Sequence, residues 1–315
     1  MKKRLAVLIL LVAIVVIALL WWRENRRYDG PVQQVTAGAE QIARGRYLAQ
    51  AADCAACHTA SGGAPLAGGY PLETPFGTIY GSNLTPSADH GIGRWSKDDF
   101  FLALTQGVAP GGRHLYPAMP YTSYKGMSRQ DADDIYAYLM TRPAVDVAIP
   151  ANEMPFPFNQ RMALIGWNLL FRSQDPLPAS SQGSSPQWQR GRYLADVLGH
   201  CGECHTPRGA LGQMDLAKPM QGGDLGRFMA PDITPHGLAQ RGVPSCVTCH
   251  GPAAQGLAAL KAPRLAGQWA EYLATQLHGF RDGKRGNSAT MRAVAGGLED
   301  SDIQALAGYL GSLGP

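Results

Sequence analysis

The chain has 315 residues, 45% of them hydrophobic and 17% charged, with 38 glycines and 23 prolines. That length suggests two or three domains. It excludes a disulfide-stapled mini-protein, and the apolar share excludes general disorder. The net charge of +4 belongs to the first thirty residues, where Lys2, Lys3, Arg4, Arg23, Arg26 and Arg27 face only Glu24 and Asp29. The rest of the chain is electrically balanced, so the basic excess is no argument for nucleic-acid binding by the body of the protein.

Leu5 to Trp22 is an unbroken apolar run of 18 residues. As a helix it spans about 27 Å, enough for the hydrocarbon core of a bilayer. The basic residues before it place the N-terminus in the cytoplasm, and Trp21 and Trp22 suit the membrane–water interface. These features predict a membrane anchor over residues 1–22, then a linker over 23–36. A cleaved signal peptide is the competing reading, but the small-residue triplet Ala37-Gly38-Ala39 lies far beyond the apolar run. On either reading the remainder is exported.

All six cysteines fall in one repeated pattern: Cys54-Ala55-Ala56-Cys57-His58, Cys201-Gly202-Glu203-Cys204-His205 and Cys246-Val247-Thr248-Cys249-His250. C-x-x-C-H is the pattern of covalent c-type haem attachment. Two thiols one helical turn apart add to the two vinyl groups on one porphyrin edge, and the adjacent imidazole turns under the ring to the iron. Zinc ribbons pair such units at closer spacing. Disulfides need no histidine after every second cysteine. The pattern predicts three haem c groups, held by Cys54, Cys57, Cys201, Cys204, Cys246 and Cys249. His58, His205 and His250 are the expected iron ligands.

The first unit is expected over 37–145. Arg44 to Ala49 reads as a helix leading into the first motif. Ser96 can cap a helix with an acidic first turn. The last helix opens at Ser128, with Asp131 three residues on, and runs through Ile135, Tyr136 and Leu139. The candidate sixth iron ligand is Met119, in Tyr116-Pro117-Ala118-Met119-Pro120-Tyr121, where two prolines stiffen the loop. Met127 and Met140 are rivals, and Met140 sits in a helical, core-like pattern.

Residues 146–186 read as a Pro- and Ser-rich linker. Within it, Met162 to Phe171 is strongly apolar. It is either a short helix packed on the first unit or a docking surface for a partner or the membrane. The second unit, 187–238, repeats the first: Arg190 to Ala195 matches Arg44 to Ala49, and Asp232-Ile233-Thr234-Pro235 matches Asn83-Leu84-Thr85-Pro86. It lacks the second half, so it cannot close its own pocket and must lean on a neighbour, the third unit being expected. Its sixth ligand is open among Met214, Met220, Met229, His200 and His236, or absent. The third unit, 239–315, is short but whole. It has a helix around Trp269 to Phe280 and a closing helix from about Asp300 to Leu313, with Ile303, Leu306 and Leu310 on one face. Met291 is the one methionine after His250 and the expected sixth ligand.

The anchor, Cys54 to His58, Asn83 to Pro86, Gly91 to Trp95, Tyr116 to Tyr121 and Cys201 to Pro207 together resemble the triple-haem cytochrome c subunits of bacterial membrane-bound dehydrogenases of the alcohol, gluconate and aldehyde type. The likeness covers roughly residues 37–238. Residues 239–315 look more like one half of a tandem diheme cytochrome c. The resemblance implies an all-α fold of three small haem-binding units with long loops, and it agrees with Met119 as the first sixth ligand. It further implies a periplasmic position on the inner membrane, a catalytic dehydrogenase subunit as electron donor, and quinone or a terminal oxidase as acceptor.

No nucleophile–base pair, phosphate loop or flavin fingerprint is evident, so the expected role is electron transfer without substrate chemistry. Two alternatives are a stand-alone electron shuttle, and peroxide or gas chemistry at a second haem lacking its sixth ligand.

Overall fold

The computed structural model describes residues 2–172, 186–226, 229–234, 237, 246–251 and 254–312. Helix α1 (Lys2–Asn25) leads away from the body. It is long and apolar enough to cross a membrane, with a mean hydropathy of 3.2 over its most apolar window, none of which is buried by the rest of the chain.

The first core is built where α2 (Ala39–Ala51) crosses α6 (Arg129–Met140). Between them in sequence lie the motif helix α3 (Cys54–His58), a hairpin of β1 (Pro71–Thr74) and β2 (Gly77–Tyr80), and α4 (Lys97–Gln106). A two-residue hairpin of β3 (Val108–Ala109) and β4 (Arg113–His114) and the single turn α5 (Tyr121–Tyr124) follow. Leu48 of α2, Phe100 and Leu104 of α4, and Ile135, Tyr136 and Leu139 of α6 are buried together. The caps follow the sequence: Ser96 and Asp99 form a reciprocal capping box, and the Ser128 hydroxyl accepts from the Asp131 N–H. Met127 is buried in this core, and Met140, like Met119, is partly buried against it.

The crossing of α2 and α6 depends on Gly45. A Cβ there would collide with the Asp134 carbonyl oxygen. Beside it, Arg44 pairs with the buried Asp134 carboxylate. The Arg-Gly-Arg stretch that repeats in the second unit is thus a helix-crossing device in the first.

In the second unit the same stretch lies in α8 (Pro186–Arg192), which runs on as a π-helical segment, Tyr193–Leu198. Gly191, the counterpart of Gly45, has open space around it, with no backbone oxygen placed as that of Asp134 is against Gly45. The structure shows this unit leaning on the first unit as well as on the third. Leu198 is fully buried in the first unit's core, with Tyr193, Leu194 and Val197 packed against it. The Tyr193 hydroxyl donates to Asp131 and accepts from the Ser128 N–H, at the start of α6. The third unit meets α8 through its last helix. The physical reason for the lean on the first unit is that the π-segment carries the apolar residues that α6 needs covered at its N-terminal end.

Motif helix α9 (Gly202–His205) and a hairpin of β5 (Gln221–Asp224) and β6 (Met229–Asp232) complete the second unit. The third holds α10 (Cys246–His250), α11 (Ala270–Arg281), α12 (Ala289–Gly296) and α13 (Asp300–Ser312). Leu273, Ala274, Ile303, Ala307 and Leu310 form a separate buried core, with Leu306 partly buried at its edge. Leu313 lies outside the described residues. Among the described residues the fold is helical, as expected, apart from three two-stranded antiparallel hairpins that form where Gly- and Pro-rich loops fold back. Met162 to Phe171 is the helix α7 (Ala163–Phe171), seated on the first unit through Leu164 and Asn168, whose Oδ1 accepts from the buried Tyr121 hydroxyl.

Two glycine substitutions test this division. Gly45→Ala should cost about 1–3 kcal/mol by overpacking the α2–α6 crossing. Gly191→Ala should be neutral or stabilising by about 0.5–1 kcal/mol, since the helix gains propensity in free space. Thermal unfolding of the two variants measures both.

Candidate functional site

Each C-x-x-C-H motif forms a short helix that ends on its histidine. A shared geometry follows. His58 Nδ1 lies 2.7 Å from the Ser82 carbonyl oxygen, His205 Nδ1 lies 2.8 Å from that of Pro231, and His250 Nδ1 lies 2.6 Å from that of Pro263. A carbonyl only accepts, so in all three rings Nδ1 carries the proton and Nε2 carries the lone pair. Such a bond fixes ring orientation and raises ligand basicity, as metal-binding histidines require. Burial lowers the pKa of His58, opposing the effect of its Ser82 bond.

The repeated Asn83–Pro86 and Asp232–Pro235 stretches acquire a role here. Each begins one residue after the carbonyl that holds the histidine. Asn83 Oδ1 accepts from the Thr85 N–H and hydroxyl at 2.8 and 2.7 Å. Asp232 Oδ1 accepts from the Thr234 N–H and hydroxyl at 2.8 and 2.6 Å. These are matching Asx turns that lock the carbonyl-bearing loop. The hairpins press on the motifs as well: a Cβ at Gly81 would collide with the Cys57 carbonyl oxygen, and one at Gly223 with that of Cys204. The repeat is visible in the sequence, but this function of it is not. The Pro263 contact of the third unit has no such signature.

None of the six cysteines is paired in a disulfide. Burial pushes the Cys54 thiol up to about 12 and raises those of Cys57, Cys201, Cys204 and Cys246. Paired thiols in apolar surroundings, each pair followed by an imidazole with Nε2 free, fit a porphyrin edge and its iron. Among the described residues no other cluster of His, Cys, Asp or Glu could hold a metal ion.

Met119 is half-buried against the same core as Cys54. Its loop is held at both ends: the Met119 N–H donates to the Tyr116 carbonyl, and the Tyr121 N–H to the Met119 carbonyl. Met291 is half-buried in the first turn of α12, whose N-cap Ser288 accepts from the Met291 N–H. In the second unit, Met214 and Met220 both lie against Gly202, within the motif itself. Met229 is 74% exposed. The His200 ring stands edge-on to Tyr124, with 5.4 Å between centroids. His236 lies outside the described residues.

The first two motifs meet across α5. The Tyr124 hydroxyl donates to the Ala52 carbonyl, two residues before Cys54, at 2.7 Å. The Thr122 and Ser123 hydroxyls donate to Glu203, inside the second motif. Glu203 also pairs with Arg208.

The Asx turn has a testable consequence. Asn83→Ala leaves the buried Thr85 N–H and hydroxyl without their acceptor, at a cost of about 1–3 kcal/mol. It should also shift the reduction midpoint of the first centre by loosening the carbonyl behind His58. A spectroelectrochemical titration with a parallel thermal melt reads both effects.

The cytochrome c family model matches residues 42–143 and 243–314. A nicotinate dehydrogenase subunit of Pseudomonas putida is 39% identical over 93% of this chain and 23% of its own length. The fructose dehydrogenase cytochrome subunit of Gluconobacter japonicus is 44% identical over 65% of this chain and 43% of its own length. This chain therefore spans less than half of either relative. A diheme cytochrome c-type protein of Cereibacter sphaeroides is 37% identical, over 98% of both chains. With the motif geometry, these matches establish that the chain belongs to the cytochrome c family, whose haem is bound covalently.

Proposed function

We propose that this chain is a membrane-anchored triple-haem cytochrome that carries electrons from a dehydrogenase to quinone or a terminal oxidase. The observation that carries the number three is the shared tautomer: three motif histidines, each with Nδ1 on a backbone carbonyl and Nε2 free. The relative matched over 98% of its length is named a diheme protein; the third motif here has the same motif-helix and histidine geometry as the other two. Cys54 with Cys57, Cys201 with Cys204, and Cys246 with Cys249 are the attachment pairs. Residues 37–145, 187–238 and 239–315 are the corresponding units.

Haem c supplies one-electron redox chemistry at its iron. The chain's residues set where and at what potential. His58, His205 and His250 are held as neutral donors by their carbonyl partners. Met119 and Met291 are the residues that would complete the ligation of the first and third irons, and thioether together with imidazole ligation would raise their potential. The α5 turn holds the first two attachment sites in one rigid block through Tyr124, Ser123 and Glu203. This favours direct passage between them.

The relatives named as dehydrogenase subunits favour a catalytic partner over a stand-alone shuttle. α1 is assigned as the inner-membrane anchor and the units as periplasmic, in keeping with the basic residues ahead of the apolar run.

Purification from native membranes in mild detergent should bring down a large flavin, quinone or molybdenum subunit whose substrate reduces the haems. A cytochrome recovered alone, and reduced by no added dehydrogenase, contradicts the proposal. Met119→Ala should lower one midpoint potential and leave the other two in place; an unchanged titration removes Met119 as a ligand.

A further inference from the structure

Helix α7 is apolar on every side: Ala163-Leu164-Ile165-Gly166-Trp167-Asn168-Leu169-Leu170-Phe171. Its inner face is satisfied, with Leu164 and Asn168 buried and the Trp167 indole N–H donating to the Leu211 carbonyl. The opposite face is uncovered: Leu169 is 77% and Leu170 61% exposed, and Gly166 has empty space around it. A helix that is hydrophobic all round requires cover on all sides.

The position of α7 shows what covers it. Glu24 lies two residues past Trp22, about 3 Å further along the α1 axis, and is fully buried. It accepts from the His114 N–H and lies 2.8 Å from the His114 imidazole Nδ1. Arg161, two residues before α7, donates to the His114 carbonyl at 3.2 Å. The start of α7 is therefore two hydrogen bonds from the point where α1 leaves its apolar run. From Pro155 to Arg172 the chain has no acidic residue, and Arg161 and Arg172 bracket the helix. An uncharged apolar helix with cationic ends, beside the exit of a transmembrane helix, matches a segment lying in the lipid interface.

We propose that α7 is a second membrane contact, seated with Leu169 and Leu170 among the acyl chains of the leaflet that α1 exits. It would orient the first unit against the bilayer by adding a second point of contact to the one that Glu24 and His114 make at the end of α1. The inference rests on the reading of α1 as a membrane span.

The test uses the full holoprotein in vesicles of phosphatidylethanolamine and phosphatidylglycerol carrying an acyl-chain diazirine lipid. After photolysis and trypsin digestion, mass spectrometry locates the adducts. Arg161 and Arg172 release α7 as the single peptide 162–172, and Arg4 and Arg23 release the apolar part of α1 as 5–23. Adducts on both peptides, with loss from 162–172 alone in a Leu169→Glu/Leu170→Glu variant of unchanged haem spectrum, are the expected result. Adducts on 5–23 without any on 162–172 overturn the proposal and leave the anchor standing. Adducts on neither overturn the anchor reading and this proposal with it. Protection of 162–172 from hydrogen exchange by a purified dehydrogenase, but not by vesicles, assigns the face to a protein partner and likewise overturns the proposal.

Discussion

The arrangement depends on one hydrogen bond made three times, from an imidazole Nδ1–H to a backbone carbonyl. Without it a histidine after a C-x-x-C helix is free to rotate and to choose its tautomer. With it, Nε2 is the only lone pair the ring presents. Much of the surrounding loop structure serves that bond. In the first two units a hairpin returns the chain to the motif, a glycine lets it pass against the cysteine backbone, and an Asx turn fixes the carbonyl. The third unit reaches the same end through Pro263 and a tighter loop, in which the Gly256 N–H donates to the His250 carbonyl.

The same logic explains how an incomplete unit persists. The second unit has its motif, hairpin and histidine-orienting turn, and its described residues show no closing helix like α6. It borrows a core instead, inserting Leu198 into the first unit and tying Glu203 to Ser123. The first two attachment sites are thereby fused into one body, while the third unit keeps a core of its own. Glu24 and His114 extend that body to the end of α1, on the hairpin that leads into the Met119 loop. The end of α1, the Met119 loop and the first motif are thus mechanically continuous.

Features written in local sequence were legible in advance. The motifs, the caps at Ser96 and Ser128, the apolar run of α1 and the inward face of α13 all depend on residues within a few positions of each other. The second unit's lean on the first was not legible, because Tyr193 meets Asp131 across 62 residues and no local pattern encodes that pairing. The role of Gly45 was hidden for the same reason: its constraint is a backbone oxygen on α6. The hairpins were missed because their strands span only two to four residues, too short for a period-two pattern to stand out. The short helix α12, which carries Met291 in its first turn, was missed as well.

The central claim is that three porphyrins are joined to this polypeptide through the six cysteines. Intact-mass spectrometry of the denatured protein, matured in a host competent for cytochrome c assembly, measures it directly. The account predicts a single species heavier than the bare polypeptide by three haem masses, with every cysteine unreactive to thiol reagents. A mass increase of two haems or fewer, with a reactive cysteine pair left over, would contradict it.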